Sequence, residues 1–113
     1  MNHRDTQICI KILSEISILN QILEHVALSQ FTSDERTFRA TCMTLINIGE
    51  LVKAITPELR SAHPEIPWRA IAGMRDVTAH KYQTLLKEDV YETCTVDIPL
   101  FAKQLQKLLN TKS

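Results

Sequence analysis

Pro67-Trp68-Arg69-Ala70-Ile71-Ala72-Gly73-Met74-Arg75-Asp76-Val77-Thr78-Ala79-His80-Lys81 reads as one helix, followed by Tyr82. Pro67 suits the first helical position, where the missing N–H is not needed. At 100° per residue, positions seven apart share a face. Trp68, Ala72, Arg75, Ala79 and Tyr82 therefore form one stripe. Four of these five suit burial or partial burial, and Arg75 stands among them. An arginine in an apolar stripe is costly unless its charge is paired or used.

Outward from this segment the same period recurs. Ile8, Ile12, Ile16, Leu19, Leu23 and Val26 predict a first helix from Asp5, read as its cap, to about Ser29. After a break around Gln30 to Ser33, Thr32-Ser33-Asp34-Glu35 gives a capping-box pattern. A second helix should run from about Ser33 to Ile55, with Phe38, Cys42, Leu45, Ile48 and Val52 as its stripe. Gly49 lies inside that stripe, and a close crossing of another helix would explain it. Pro57 ends this helix and Pro57-Glu58-Leu59-Arg60 opens a short turn of another. A last helix should begin near Lys87-Glu88-Asp89, whose acids suit a helix N-terminus. It carries Val90, Cys94, Ile98, Phe101, Leu105 and Leu108, with a kink at Pro99. The expectation is an all-α, up-and-down bundle of four to five helices, forming a single domain over residues 1–113.

Composition narrows the function classes. Hydrophobic residues make up 44% and charged residues 23%, as in a globular chain and unlike a disordered one. Thirteen basic and thirteen acidic residues cancel, which argues against a protein that coats nucleic acid by bulk attraction. It leaves room for a local phosphate site built from one or two arginines. Cys9, Cys42 and Cys94 show no CxxC spacing and read as buried thiols. His3, His25 and His63 have no mutual metal spacing, so no metal and no cofactor is expected. No stretch approaches the ~20 apolar residues of a membrane span. Lys11, Ser14 and Glu15 interrupt the first apolar run, unlike the core of a signal peptide. The expected location is the cytoplasm.

The third helix carries the chemistry. Asp76 and His80, four apart, stack within hydrogen-bond reach, and a carboxylate there can fix an imidazole tautomer. Arginine's planar fork suits a phosphate. Histidine can take a proton from a nucleophile or give one to a leaving group. Together these suit cleavage of RNA by attack of a ribose 2′-hydroxyl on the adjacent phosphate, with Tyr82 placed to stack or hydrogen-bond. Yet Arg75 and His80 are five apart, about 140° round an ideal helix. Either the helix ends or loosens before His80, or two copies meet and share a cleft; the second arrangement is the one expected. Taken alone, Arg-x4-His is a weak signal that fits an ion-paired structural arginine beside a partly exposed histidine better than a catalytic pair. Glu50 reads either as a partner for Arg75 across the bundle or as an ordinary exposed acid. Trp68 reads as core or interface.

The ordered set Ile48-Gly49-Glu50, Pro57-Glu58-Leu59, His63-Pro64-Glu65-Ile66-Pro67-Trp68, Ile71-Ala72-Gly73-Met74-Arg75-Asp76 and His80-Lys81-Tyr82 resembles the HepT-like toxins of the HEPN superfamily. Tyr91-Glu92-Thr93 and Asp97-Ile98-Pro99 fit the same pattern, so the resemblance spans roughly residues 5 to 110. It implies a helical-bundle homodimer with its active site at the dimer interface. It implies a metal-independent endoribonuclease, the toxin of a type II/VII-like toxin–antitoxin system. The partner it implies is a minimal, MntA-like nucleotidyltransferase antitoxin. The family motif Arg-x4-His-x-Tyr maps onto Arg75 and His80 as catalytic residues and onto Tyr82 as the acceptor of AMP. Asp76 stands where the family often has asparagine or another polar residue; it and Glu50 are supporting positions. The alternative is a non-catalytic protein that binds a nucleotide or a nucleotidyltransferase through the same groove.

Overall fold

The computed structural model describes residues 1–111. Seven α-helical segments follow in order: α1 (His3–Leu23), α2 (Leu28–Ser33), α3 (Glu35–Lys53), α4 (Pro57–Ala62), α5 (Trp68–His80), α6 (Lys87–Glu92) and α7 (Ile98–Thr111). A 3-10 turn (Tyr82–Thr84) follows α5, and a π-helical turn (Thr93–Asp97) joins α6 to α7. The four long runs are thus α1, α3, α5 and the continuous stretch from α6 to α7, as the apolar periodicity requires. No helix among the described residues is long and apolar enough to cross a membrane.

The stripes meet in one core. Ile8, Ile12, Ile16 and Leu19 of α1 pack with Phe38, Cys42, Leu45, Ile48 and Val52 of α3. Val90, Cys94, Ile98, Phe101, Leu105 and Leu108 close the core from the last run. Trp68 is core: its ring meets Phe101 edge-on at 6.1 Å, and its Nε1 donates to the His63 carbonyl at 3.0 Å. The three thiols are buried, which pushes Cys9 and Cys42 up to about 11 and Cys94 to about 12.

Several element ends differ from the expectations. Asn2, not Asp5, caps α1, accepting from the Asp5 N–H at 2.7 Å. Asp5 is instead 1% exposed. It accepts from the Thr56 N–H at 3.1 Å and the Thr56 hydroxyl at 2.5 Å, tying the start of α1 to the start of α4. That long-range pairing accounts for a buried carboxylate that local pattern reads as a cap. α1 stops at Leu23 rather than Ser29 because His25 takes a left-handed φ of 62°. The expected break at Gln30 to Ser33 is helix α2, whose Phe31 is buried against Phe38 and Tyr91. Asp34 caps α3 in place of the Thr32–Glu35 box, bonding the N–H groups of Arg36 and Thr37. Pro67 lies one residue before α5 rather than at its first position. Pro99 is met by the π-turn, which widens the hydrogen-bond ladder directly before it.

α3 and α5 form the most extensive helix pair. At their crossing, a Cβ on Gly49 would lie 2.6 Å from the Arg75 Cβ and 2.9 Å from the Arg75 backbone nitrogen. Only a residue without a side chain allows this approach. A Cβ on Gly73, by contrast, would meet no atom within 4 Å.

The two glycines therefore predict opposite outcomes. Gly49→Ala should destabilise the fold by about 1–3 kcal/mol through overpacking. Gly73→Ala should be neutral or stabilise by up to about 1 kcal/mol. Urea unfolding followed by circular dichroism distinguishes them; equal midpoints would refute the close crossing.

Candidate functional site

The Gly49 contact fixes the rotation of α5 about its axis. With its Cβ against α3, Arg75 emerges beside Glu50 at the edge of the crossing, its side chain 31% exposed. Its Nε donates to Glu50 Oε2 at 3.1 Å, so Glu50 is the cross-bundle partner rather than a free surface acid. Its Nη1 donates to Asp76 Oδ1 at 3.3 Å. Among the described residues Nη2 has no hydrogen-bond partner.

Asp76 does not pair with His80. Its Oδ1 accepts from Lys53 Nζ at 2.8 Å as well as from Arg75. The two permanent cations on the α3 side hold the carboxylate there. The hydrogen bond from Lys53 is the main cause holding the Asp76 carboxyl below the usual range, with Arg75 contributing less and slight burial opposing. Lys53, the last residue of α3, had no role in the sequence reading. Its signal was its place one turn beyond Gly49 and Glu50, on the side that a crossing helix must meet.

His80 is the exposed last residue of α5 and has no side-chain hydrogen bond among the described residues. The helix does not loosen ahead of it: the Lys81 N–H still donates to the Val77 carbonyl at 2.9 Å. Arg75 and His80 thus stand roughly 7.5 Å apart along the axis and about 140° round it. One chain does not bring them together. Ala79, expected in the buried stripe, is exposed; α5 buries Trp68, Ile71, Ala72 and Thr78 instead.

Tyr82 swings onto the opposite end of α3. Its hydroxyl donates to Glu35 Oε2 at 3.0 Å, and its ring lies 5.6 Å from that of Phe38. The Arg39 guanidinium sits 5.6 Å from the Tyr82 ring centre. Glu35 is in turn held by Arg39 Nε at 2.9 Å and Lys87 Nζ at 3.5 Å. Burial first, and then the bond to Glu35, push the Tyr82 phenol up; the same bond lowers the Glu35 carboxyl. Tyr82 and Arg75 both face α3, but they meet it about 16 Å apart along its axis. Tyr82 shares a shallow groove with His80 instead.

Comparison with known proteins gives one consistent family. The family model described as "Ribonuclease HepT-like" matches residues 12–108. The "Putative RNase" of Caldanaerobacter subterraneus subsp. tengcongensis is 35% identical over 98 residues, covering 87% of this chain and 88% of its own. The "Probable ribonuclease HepT" of Thermococcus cleftensis is 32% identical over 97 residues, covering 86% and 88%. A "Putative RNase" of Methanocaldococcus jannaschii is 31% identical over 98 residues, covering 87% and 84%. No solved structure gives a significant match.

The Tyr82–Glu35 bond sets a pH signature. Tyr82 should titrate above its usual value of 10, and Glu35→Gln should lower its midpoint by removing the anion that holds the proton. Carbon-13 NMR of the Tyr82 ring against pH reads this directly. An unmoved midpoint in Glu35→Gln would show that the hydroxyl is not held by Glu35.

Proposed function

The chain belongs to the HepT-like ribonuclease family, and from that footing we propose that it is a metal-independent endoribonuclease whose active site forms between two copies of α5. The observation that carries this reading is the unbroken helix from Trp68 to His80, which places Arg75 and His80 on divergent faces. A second copy supplies the missing convergence. Val77, 48% exposed, and Gly73, with open space over its Cα, lie on the same outer side of α5 as His80, and an isologous contact there fits a second α5.

In the proposed cleft, the open edge of Arg75 takes a phosphate oxygen, while Glu50 holds Nε and aims the fork. One His80 removes the proton of the ribose 2′-hydroxyl as its oxygen bonds to phosphorus. The other protonates the 5′-oxygen as the P–O5′ bond breaks, leaving a 2′,3′-cyclic phosphate. Stabilising the added charge on phosphorus is the task of Arg75. The protein acts in this reading as the toxin of a toxin–antitoxin pair in the cytoplasm.

Its antitoxin is an MntA-like nucleotidyltransferase that transfers AMP to Tyr82. The groove shared by Tyr82 and His80 supports a block at His80 rather than at Arg75. A nucleotide on the phenol would fill that groove and carry a phosphate beside Arg39 and Lys87.

Purified protein should cut single-stranded RNA without added metal. Arg75→Ala and His80→Ala should each lower the rate by about a hundredfold or more, while circular dichroism and sedimentation show an intact folded dimer. A His80→Ala protein as active as the parent defeats the proposal. Retained RNA binding with no cleavage by the parent would favour the non-catalytic binding protein. Tyr82→Phe should stay an active nuclease but accept no radiolabel from α-labelled ATP in the presence of a cognate nucleotidyltransferase. Undiminished labelling would place the acceptor elsewhere.

A further inference from the structure

Arg75 lies between two carboxylates, an arrangement that would repel a phosphate if both were free to close on it. Glu50 bonds Nε, on the side edge of the guanidinium, and leaves the end edge formed by Nη1 and Nη2. Asp76 is the acid that competes for the phosphate edge, because it reaches Nη1. Its contact with Arg75 is long, at 3.3 Å, whereas its contact with Lys53 is short, at 2.8 Å. The two cations share one oxygen, and the lysine has the better geometry.

Lys53 is also released from the usual task of a lysine at a helix end. The carbonyls of Val52 and Lys53 itself accept from Arg60 Nη2 at 3.2 and 2.9 Å. The ammonium is therefore not needed to cap α3 and can be committed to Asp76. Glu50, Lys53, Arg75 and Asp76 together carry no net charge; without Lys53 they carry one negative charge.

We infer that Lys53 is a positioning residue that draws Asp76 off the phosphate-binding edge of Arg75 and so tunes the protein for RNA. The inference rests on the nuclease reading of Arg75 but names a residue and a division of labour beyond it. Lys53 acts through Asp76 and does not itself hold the phosphate. Asp76 in turn keeps Arg75 partly neutralised when no RNA is bound, so that affinity depends on the balance between the lysine and the acid.

A double-mutant cycle at Lys53 and Asp76 tests this, with two readouts. One is cleavage of single-stranded RNA, giving KM and kcat. The other is anisotropy of a labelled, uniformly 2′-O-methylated oligonucleotide, which lacks the attacking hydroxyl. Lys53→Met should raise KM and the oligonucleotide Kd about three- to tenfold, the effect of one uncompensated charge near the phosphate, with kcat little changed. Lys53→Arg should behave as the parent, and Asp76→Asn should bind more tightly than the parent. The double variant Lys53→Met/Asp76→Asn should return to parental affinity or better. A Lys53→Met protein that binds like the parent overturns the inference. So does a defect that persists in the double variant, since Lys53 would then touch the phosphate itself. Failure of the nuclease reading shows separately, as a parent that binds the oligonucleotide through Arg75 but cuts no RNA. In that case the binding arm of the cycle still decides the role of Lys53. Oligonucleotide affinity independent of Arg75 overturns both.

Discussion

The contact of Gly49 with the backbone of Arg75 sets the rest of the molecule. Two helices that approach this closely cannot rotate against each other without collision, so α5 has one azimuth. That azimuth directs the stem of Arg75 into the crossing and its fork out beside Glu50. It sends His80, five residues on, to the opposite side. The same contact brings the end of α3 alongside Asp76, which lets Lys53 reach across. A single missing side chain thus determines the partners of Arg75, the isolation of His80, and the dependence of the proposed chemistry on a second copy.

Charge is arranged around this crossing in two separate groups. Near Gly49, two acids and two bases form a neutral set whose cation Arg75 keeps one open edge. Near the other end of α3, Glu35 gathers Arg39, Lys87 and the Tyr82 hydroxyl. Exposed ion pairs of this kind add little to stability, with a median of about 0–1 kcal/mol each. Their consequence is positional. Tyr82 is held away from Arg75 and next to His80, so in the proposed function a nucleotide attached to Tyr82 would act on access to the histidine.

The long elements were legible because burial follows the helical period. Ile12, Ile16 and Leu19, Cys42, Leu45 and Ile48, and Ile98, Phe101 and Leu105 all lie in the core that their spacing marks out. Gly49 announced a close crossing, whereas Glu50 stayed open between a partner of Arg75 and an exposed acid, and only the crossing itself decides it. What failed depended on contacts between elements. Asp5 looked like a cap because Thr56, fifty-one positions on, is invisible to local pattern. Asp76 looked like a partner of His80 because i,i+4 spacing sees only its own helix, whereas Lys53 comes from α3. Ala79 was placed in a buried stripe that the rotation of α5 does not support. The Arg-x4-His-x-Tyr motif was legible as residues, and so was the helix that persists through His80; that Tyr82 leaves it for Glu35 and Phe38 was not.

The central claim is that Arg75 of one copy works with His80 of another. Dissociating parental protein and reassociating it with an equal amount of the double variant Arg75→Ala/His80→Ala tests it, because a mixed dimer keeps both groups on one chain and has neither on the other. A shared cleft predicts inactive mixed dimers, so that cleavage falls to about half of that given by the same amount of parental protein alone, since half of the parental chains then sit in mixed dimers. Undiminished cleavage once native mass spectrometry shows the mixed dimers would contradict it.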